Sequence, residues 1–330
     1  FGPTFIVTEE LSVAEAMKKD RSSVEATYQQ IIDDLKTSID DLEGVTYDVA
    51  DLGRVTQVAA QSLLAKVYLT IGKYTEAKGL LKSVVDVKGD RLTISYSDVF
   101  DISKEMNDEI IFAIRYKSGS LGIGSPFANT FAPTKSGANV VTGDGDGRNY
   151  PTTEVLGIYP EGDLRKDASV SDHYIDPGKK DPVVISDQSA YIKKFVSPVS
   201  VRYDAENDWP VIRHADVLLM YAEVLNETDG PAAGLPYLNE VRRRAGLDGI
   251  NISEVPVRSA FREKLEKERR LELAFENQRW FDLVRWGKAV ETINKQITEN
   301  EDFYDRYAFT VNPIAEWQLL LPIPQSVIDN

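Results

Sequence analysis

FREKLEKERRLELAFENQRWFDLVRWGKAV, residues 261–290, puts charged side chains where a helix should be apolar. Starting at Phe261, the helical phase steps through Leu265, Glu268, Glu272, Phe275 and Arg279, so two carboxylates share a face with three core-sized residues. A carboxylate on that face needs a partner. Left unpaired in an apolar interior it costs several kcal/mol, whereas a guanidinium fork meeting it bidentately offsets most of that. Arg269, Arg270, Arg279 and Arg285 lie close enough in sequence to serve.

Working outward, the rest of the chain supplies helices for this stretch to pack on. Ser22-Ser23 followed by Glu25 reads as a helix start, and Val24, Tyr28, Ile31, Ile32, Leu35, Ile39 and Leu42 continue at helical spacing to Gly44. A helix pair joined at Gly72 follows, with Ala59, Leu63, Leu64, Val67, Tyr68 and Ile71 before the joint and Tyr74, Ala77, Leu80, Leu81 and Val84 after it. Leu64-Ala65, Tyr68, Ala77 and Leu81 resemble a tetratricopeptide repeat, which keeps small residues for close approach and large ones to fill the groove. One repeat cannot bury its own flank, and residues 215–247 supply a second, degenerate pair. The stretch at 261–290 makes a third. The expected fold is therefore mainly α: a tetratricopeptide-like helical repeat scaffold, 22–91 and 215–297, with a large loop-rich insertion containing short strands.

That insertion, 92–214, is rich in Gly, Pro, Ser, Asn and Asp, with short apolar runs such as Ile110–Ile114. Long loops on a rigid frame usually carry function. Its densest part is Gly119 to Tyr159, where Phe127, Asn129, Phe131, Arg148, Asn149 and Tyr150 punctuate a glycine-rich background that includes Gly143-Asp144-Gly145-Asp146-Gly147. Beyond the scaffold, 298–330 holds Phe303, Tyr304, Tyr307 and Phe309 in an acidic setting. It closes with Trp317-Gln318-Leu319-Leu320-Leu321-Pro322-Ile323-Pro324, an apolar run halted by prolines whose Trp317 and Leu319 to Leu321 are candidates for core packing.

The segments Glu268-Arg269-Arg270-Leu271-Glu272-Leu273-Ala274-Phe275-Glu276 and Arg279-Trp280-Phe281-Asp282-Leu283-Val284-Arg285-Trp286-Gly287 resemble the C-terminal signature of the SusD/RagB family. Pro210-Val211-Ile212-Arg213 and the closing apolar run are similar to further parts of its pattern. The resemblance covers nearly all of the chain. It implies one SusD/RagB-like domain over 1–330, with 298–330 docking back on the scaffold. It also implies a surface-exposed outer-membrane lipoprotein that captures oligosaccharides and passes them to a TonB-dependent, SusC-like transporter. Peptide capture by a member of the same family is the alternative within binding, and a helical-repeat protein adaptor is the alternative outside it. In the family a signal peptide ends at a lipid-modified Cys; Phe1-Gly2-Pro3-Thr4-Phe5-Ile6-Val7 resembles a segment beyond the first helical section, so the sequence reads as N-terminally truncated, with membrane attachment only through an anchor outside it.

Charge and composition narrow the partners. Fifty-three acidic against 38 basic residues give a net charge of −15 with no basic block, which argues against nucleic acid and favours a neutral or cationic ligand. With no cysteine and two histidines, His173 and His214, thiolate chemistry and a His-rich metal site are excluded, and no cofactor is expected. Glu268, Glu272, Glu276 and Asp282 could pair as in a glycosidase, but neighbouring arginines hold such groups ionised where a general acid needs a raised pKa, so an ion-pair network and no enzymatic activity are expected. The alternating aspartates of 143–147 suit a cation in composition only: the ligand run is too short for an EF-hand, and an acidic turn is the simpler reading. Aromatics on loops fit sugar binding, because the C–H face of a pyranose lies flat on a ring while Asn, Asp, Arg and Gln read its hydroxyls. Phe131 and Tyr150 with Asn129, Arg148 and Asn149 form the best such group, and Trp209 comes second.

Overall fold

The computed structural model describes residues 2–179, 183–184, 190–301 and 310–322, and two compact units divide them: Ile39–Glu276 form one, the residues before and after that span the other. The smaller unit begins with a one-turn helix α1 (Val13–Ala16), closed by a Ser12–Glu15 capping box, and most of α2 (Val24–Asp41), whose last residues from Ile39 belong to the larger unit. The Ser23 hydroxyl accepts the Ala26 N–H, so α2 starts where the paired serines predict.

In the larger unit α3 (Gln57–Thr70) is capped by Thr56, whose hydroxyl accepts the Ala59 N–H, and turns at Gly72 into α4 (Tyr74–Lys88). Ala59, Ala65 and Ala77 are buried with Leu64, Tyr68 and Leu81, the small and large positions expected of the repeat. The insertion follows. Its first strand β1 (Ile110–Ile114) is succeeded by α5 (Phe127–Phe131), α6 (Thr153–Gly157), α7 (Arg165–Ser169), β2 (Val170–Ser171), β3 (His173–Tyr174), β4 (Val183–Val184), β5 (Tyr191–Ile192) and β6 (Trp209–Arg213). The described strands pair only in twos, antiparallel: β1 with β6, β2 with β5, β3 with β4. The β1–β6 pair closes the insertion at its root, and the His214 N–H donating to the Glu109 carbonyl hands the chain back to the helices.

Those helices are α8 (His214–Thr228), α9 (Pro231–Arg244) and α10 (Arg258–Glu272). From His214 to Asn226 every residue of α8 is buried. A helix apolar nearly all round belongs at the centre, and α8 packs on α4, α9 and α10. Among the described residues no helix is long and apolar enough to cross a membrane.

Phe261, Leu265, Glu268 and Glu272 do share one buried face of α10, but the helix stops there and the predicted continuation through Phe275 and Arg279 does not exist. Phe275 and Asn277 adopt φ of 67° and 60°, reversing the chain. Phe275 thereby joins an aromatic cluster, and Glu276 reaches back to Arg213 and Lys194. The smaller unit resumes with α11 (Arg279–Arg285) and α12 (Ala289–Glu299). The expected core role of the closing run is also corrected. Trp317 and Leu321 are 77% and 63% exposed and Leu320 is exposed with them, because a 3-10 turn at Glu316–Leu319 breaks the alternation that would aim the run at one side. Phe303, Tyr304, Tyr307, Phe309, Ile323 and Pro324 lie outside the described residues.

The buried carboxylates have partners, though not the sequence neighbours expected. Arg165 clamps Asp163 through two hydrogen bonds and reaches Glu268 at 2.6 Å and Glu272 at 3.1 Å. Arg213 meets Glu276 and Glu109 at 2.7 Å and Glu272 at 2.6 Å. Arg244 joins Glu109 and Glu272, Arg242 joins Glu268, and Lys194 joins Glu276. Glu109, Asp163, Glu268, Glu272 and Glu276 are thus balanced one for one by Arg165, Arg213, Arg242, Arg244 and Lys194. Arg269 serves Asp216, Arg270 serves Glu154 and Arg285 serves Asp282. Burial pushes the Glu272 carboxyl up, but the guanidiniums of Arg244, Arg213 and Arg165 outweigh it and hold the group well below the usual carboxylate range.

Candidate functional site

The glycine-rich loop lies along α5 and is fixed to it by backbone. Asp146 N–H donates to Asn129 O, Gly147 N–H to Ala132 O and Arg148 N–H to Thr130 O, at 2.9, 2.9 and 3.0 Å. So tight an approach needs glycine: a Cβ at Gly145 would stand 2.1 Å from the Ala132 carbonyl oxygen, and one at Gly147 would stand 1.9 Å from the Tyr150 hydroxyl. Asn129 is the second fastening. Its side-chain amide donates to the carbonyls of Thr142 and Asp144, and its oxygen accepts the Tyr203 N–H at 2.8 Å.

Tyr203 is thereby brought onto the same loop. Its hydroxyl donates to Asp146 at 2.9 Å, Arg202 forms an ion pair with the same carboxylate, and the Arg202 guanidinium lies 4.8 Å over the Tyr203 ring. The hydroxyls of Tyr150 and Tyr203 therefore converge on consecutive residues, 147 and 146. Both tyrosines are about two-fifths exposed, at 40% and 42%, and Arg148 and Asn149 are exposed beside them. Three non-glycine residues here have left-handed backbones: Asp144 at φ 66°, Asn149 at 57° and Tyr203 at 63°. Asn and Asp tolerate that conformation; a tyrosine there is strained, and such strain concentrates at binding sites.

Of the residues expected to contact ligand, Tyr150, Arg148 and Asn149 lie together on this surface. Phe131, Asn129 and Trp209 are not on it. Asn129 is fully buried and spends its amide on the three backbone partners just named. Phe131 stacks on Phe127 at 5.7 Å, and half-buried Trp209 stacks on Phe195 at 4.8 Å, all within one cluster. Tyr203, Arg202 and Asp146 join Tyr150, Arg148 and Asn149 on this surface; Asp146 stood out in the sequence within the glycine-rich run, whereas Arg202 and Tyr203 left only an aromatic next to a guanidinium.

Residues 184–330 match a family profile described as "SusD family", and residues 1–69 match a second described as "Starch-binding associating with outer membrane". The chain belongs to the SusD/RagB family. A curated SusD/RagB relative, SusD-like protein P25 of Formosa agariphila, is 26% identical over 98% of this chain, and the chain spans only 66% of P25. Surface glycan-binding protein A from Bacteroides uniformis superposes with a TM-score of 0.81 at 25% identity, covering 100% of this chain and 71% of that one. A laminarin-binding SusD-like protein gives 0.76 at 25% identity, over 99% and 72%.

Other groups weighed from the sequence find structural duties in this SusD/RagB chain. The Asp144 carboxylate accepts the N–H groups of Lys135, Gly137 and Gly145, and Asp146 is held by Arg202 and Tyr203, so 143–147 forms a hydrogen-bonded turn. His214 bonds the Gly89 carbonyl at 2.8 Å, with burial pushing its imidazole pKa down, and His173 meets Asp172.

Proposed function

We propose that this chain is the binding part of a surface-exposed outer-membrane lipoprotein that captures oligosaccharides and passes them to a TonB-dependent, SusC-like transporter, without turning them over. We take residues 1–330 as one functional module of that protein. The observation that carries the reading is the strained platform on which Tyr150 and Tyr203 converge at Asp146 and Gly147 with Arg148, Asn149 and Arg202 around them. Rings of that exposure offer a flat face to the C–H side of a sugar, while amide and guanidinium donors read its hydroxyls. Relatives described as glycan-binding and laminarin-binding support the same class of ligand. Capture without reaction is supported by the buried α10 carboxylates Glu268 and Glu272, each held by guanidinium rather than free in a cleft.

The test is titration of the purified chain with laminarin, starch and xyloglucan oligosaccharides and a peptide panel, followed by the Tyr150→Ala/Tyr203→Ala double variant. Saturable glycan binding that the double variant loses while keeping its thermal transition supports the reading. Saturable binding of peptides alone would replace sugar with peptide as the cargo, and unchanged glycan affinity in the double variant would remove the platform.

A further inference from the structure

A cleft of about 1080 Å³ opens elsewhere in the larger unit, walled by residues 95–102, 159–168 and 191–198. Lys194 and Arg244 stand at its back but are already committed, Lys194 to Glu276 and the Ala274 carbonyl, Arg244 to Glu109 and Glu272. Tyr159 has no such commitment. It lines the cleft at 7% exposure, and its hydroxyl is a buried polar atom that makes no well-formed hydrogen bond among the described residues, the Ser169 hydroxyl beside it being engaged by Tyr96. Native interiors rarely leave such a group unmet, since an unpaired buried O–H forfeits its hydration without replacement. Burial pushes the Tyr159 phenol pKa up, so it remains a neutral O–H able to donate.

The lining also says what kind of ligand would meet that hydroxyl. Phe100 and Tyr191 add ring surface, and the exposed charges at the mouth are mixed, Asp101, Glu161 and Asp167 against Lys166 and Lys193. A mouth so nearly balanced neither concentrates an anion nor repels one strongly, which favours an uncharged, hydroxyl-rich ligand over a phosphate or a nucleotide. A second hollow of about 470 Å³ shares Lys166, Asp167 and Lys193 with the first, so the space is elongated. The main cleft alone matches the upper end of small-ligand pockets, roughly 300–1,000 Å³, room for more than one sugar ring.

We propose that this cleft is a second saccharide site, separate from the tyrosine platform, which takes an uncharged oligosaccharide and satisfies the Tyr159 hydroxyl with a sugar oxygen. The inference rests on the carbohydrate reading of the chain but not on the platform. It is tested by soaking crystals of the chain with laminarihexaose and, separately, maltohexaose, and by titrating the same sugars into wild type, Tyr159→Phe and Asp167→Ala/Lys193→Ala. Tyr159→Phe keeps the ring that packs the wall and removes only the donor; the rim variant touches exposed side chains, so both should fold.

Sugar density within hydrogen-bond reach of Tyr159, with affinity reduced about fivefold or more in Tyr159→Phe at an unchanged thermal transition, sustains the proposal. Density at Tyr150 and Tyr203 only, with both cleft variants titrating as wild type, overturns the cleft and leaves the carbohydrate reading standing. Density in the cleft only sustains the cleft and removes the platform. Neither sugar bound anywhere overturns both for these glucans.

Discussion

Replacing Glu272 by Gln should unfold the larger unit more readily than any surface change. The Glu272 carboxylate is fully buried and accepts from Arg213 at 2.6 Å, from Arg165 at 3.1 Å and from Arg244. Glutamine preserves the volume but removes the charge, and it turns an N–H₂ toward guanidiniums that can only donate. Five carboxylates against five cations become four against five, leaving an uncompensated positive charge in the interior. Breaking a buried pair in this way costs about 3–5 kcal/mol. For a unit of this size each kcal/mol lowers Tm by roughly 2–4 °C, so a fall of about 10 °C is expected. Urea unfolding followed by far-UV circular dichroism reads the loss directly. Acid gives a second signature. Because the folded carboxyl lies below its unfolded value of about 4.3, its contribution is complete above that pH and is lost as pH falls toward the folded value. Wild type should therefore lose stability on acidification below about pH 5 more steeply than Glu272→Gln. A destabilisation under about 1 kcal/mol with a parallel acid profile would show that the network does not hold α10 to α7, β6 and α9.

Tyr150→Ala and Tyr203→Ala should each weaken glycan binding by about 1 kcal/mol, read by calorimetric titration, with little change in Tm, since Tyr203→Ala removes an exposed ring from a strained backbone. Gly145→Ala should cost about 1–3 kcal/mol in a thermal melt and reduce glycan affinity as well, because its Cβ must displace the Ala132 carbonyl against which the platform is built. Burial, then the Asp208 carboxylate, pushes the Glu105 carboxyl pKa up to about 7 against the pull of Arg115. Its contribution to stability is therefore present below its unfolded value of about 4.3 and lost as pH rises through 7. Glu105→Gln should flatten the stability profile between pH 5 and 7.5, and a variant whose urea midpoint still falls over that interval as in wild type would contradict the assignment.

The parts of this molecule that could be read in its sequence are those whose cause is local. Helical spacing marks Glu268 and Glu272 as facing inward, and burial of both bears that out. Their partners were misread because a guanidinium 59 or 107 positions away leaves no periodic trace; Arg165, Arg213 and Arg244 meet Glu272 only after α7, β6 and α9 have packed around α10. The break after Glu272 was hidden for the same reason: Phe275 fits the helical phase, and what draws it out of the helix is a cluster assembled from the insertion.

At the platform the difficulty is chemical rather than topological. Asn, Arg and aromatic residues are chosen both to bind sugars and to fasten loops, so composition singled out 119–159 yet could not tell the fastening from the surface, and it left out Arg202 and Tyr203. Asn129 shows this directly, since the amide that would have read a hydroxyl is consumed by two carbonyls and the Tyr203 N–H. The same three bonds are what bring Tyr203 beside the loop that carries Tyr150. On the proposed site, a residue first taken for a ligand contact therefore acts through the ring it positions. Asn129→Ala should consequently lower glycan affinity about as far as Tyr203→Ala does while also destabilising the fold, whereas a direct contact would lower affinity alone.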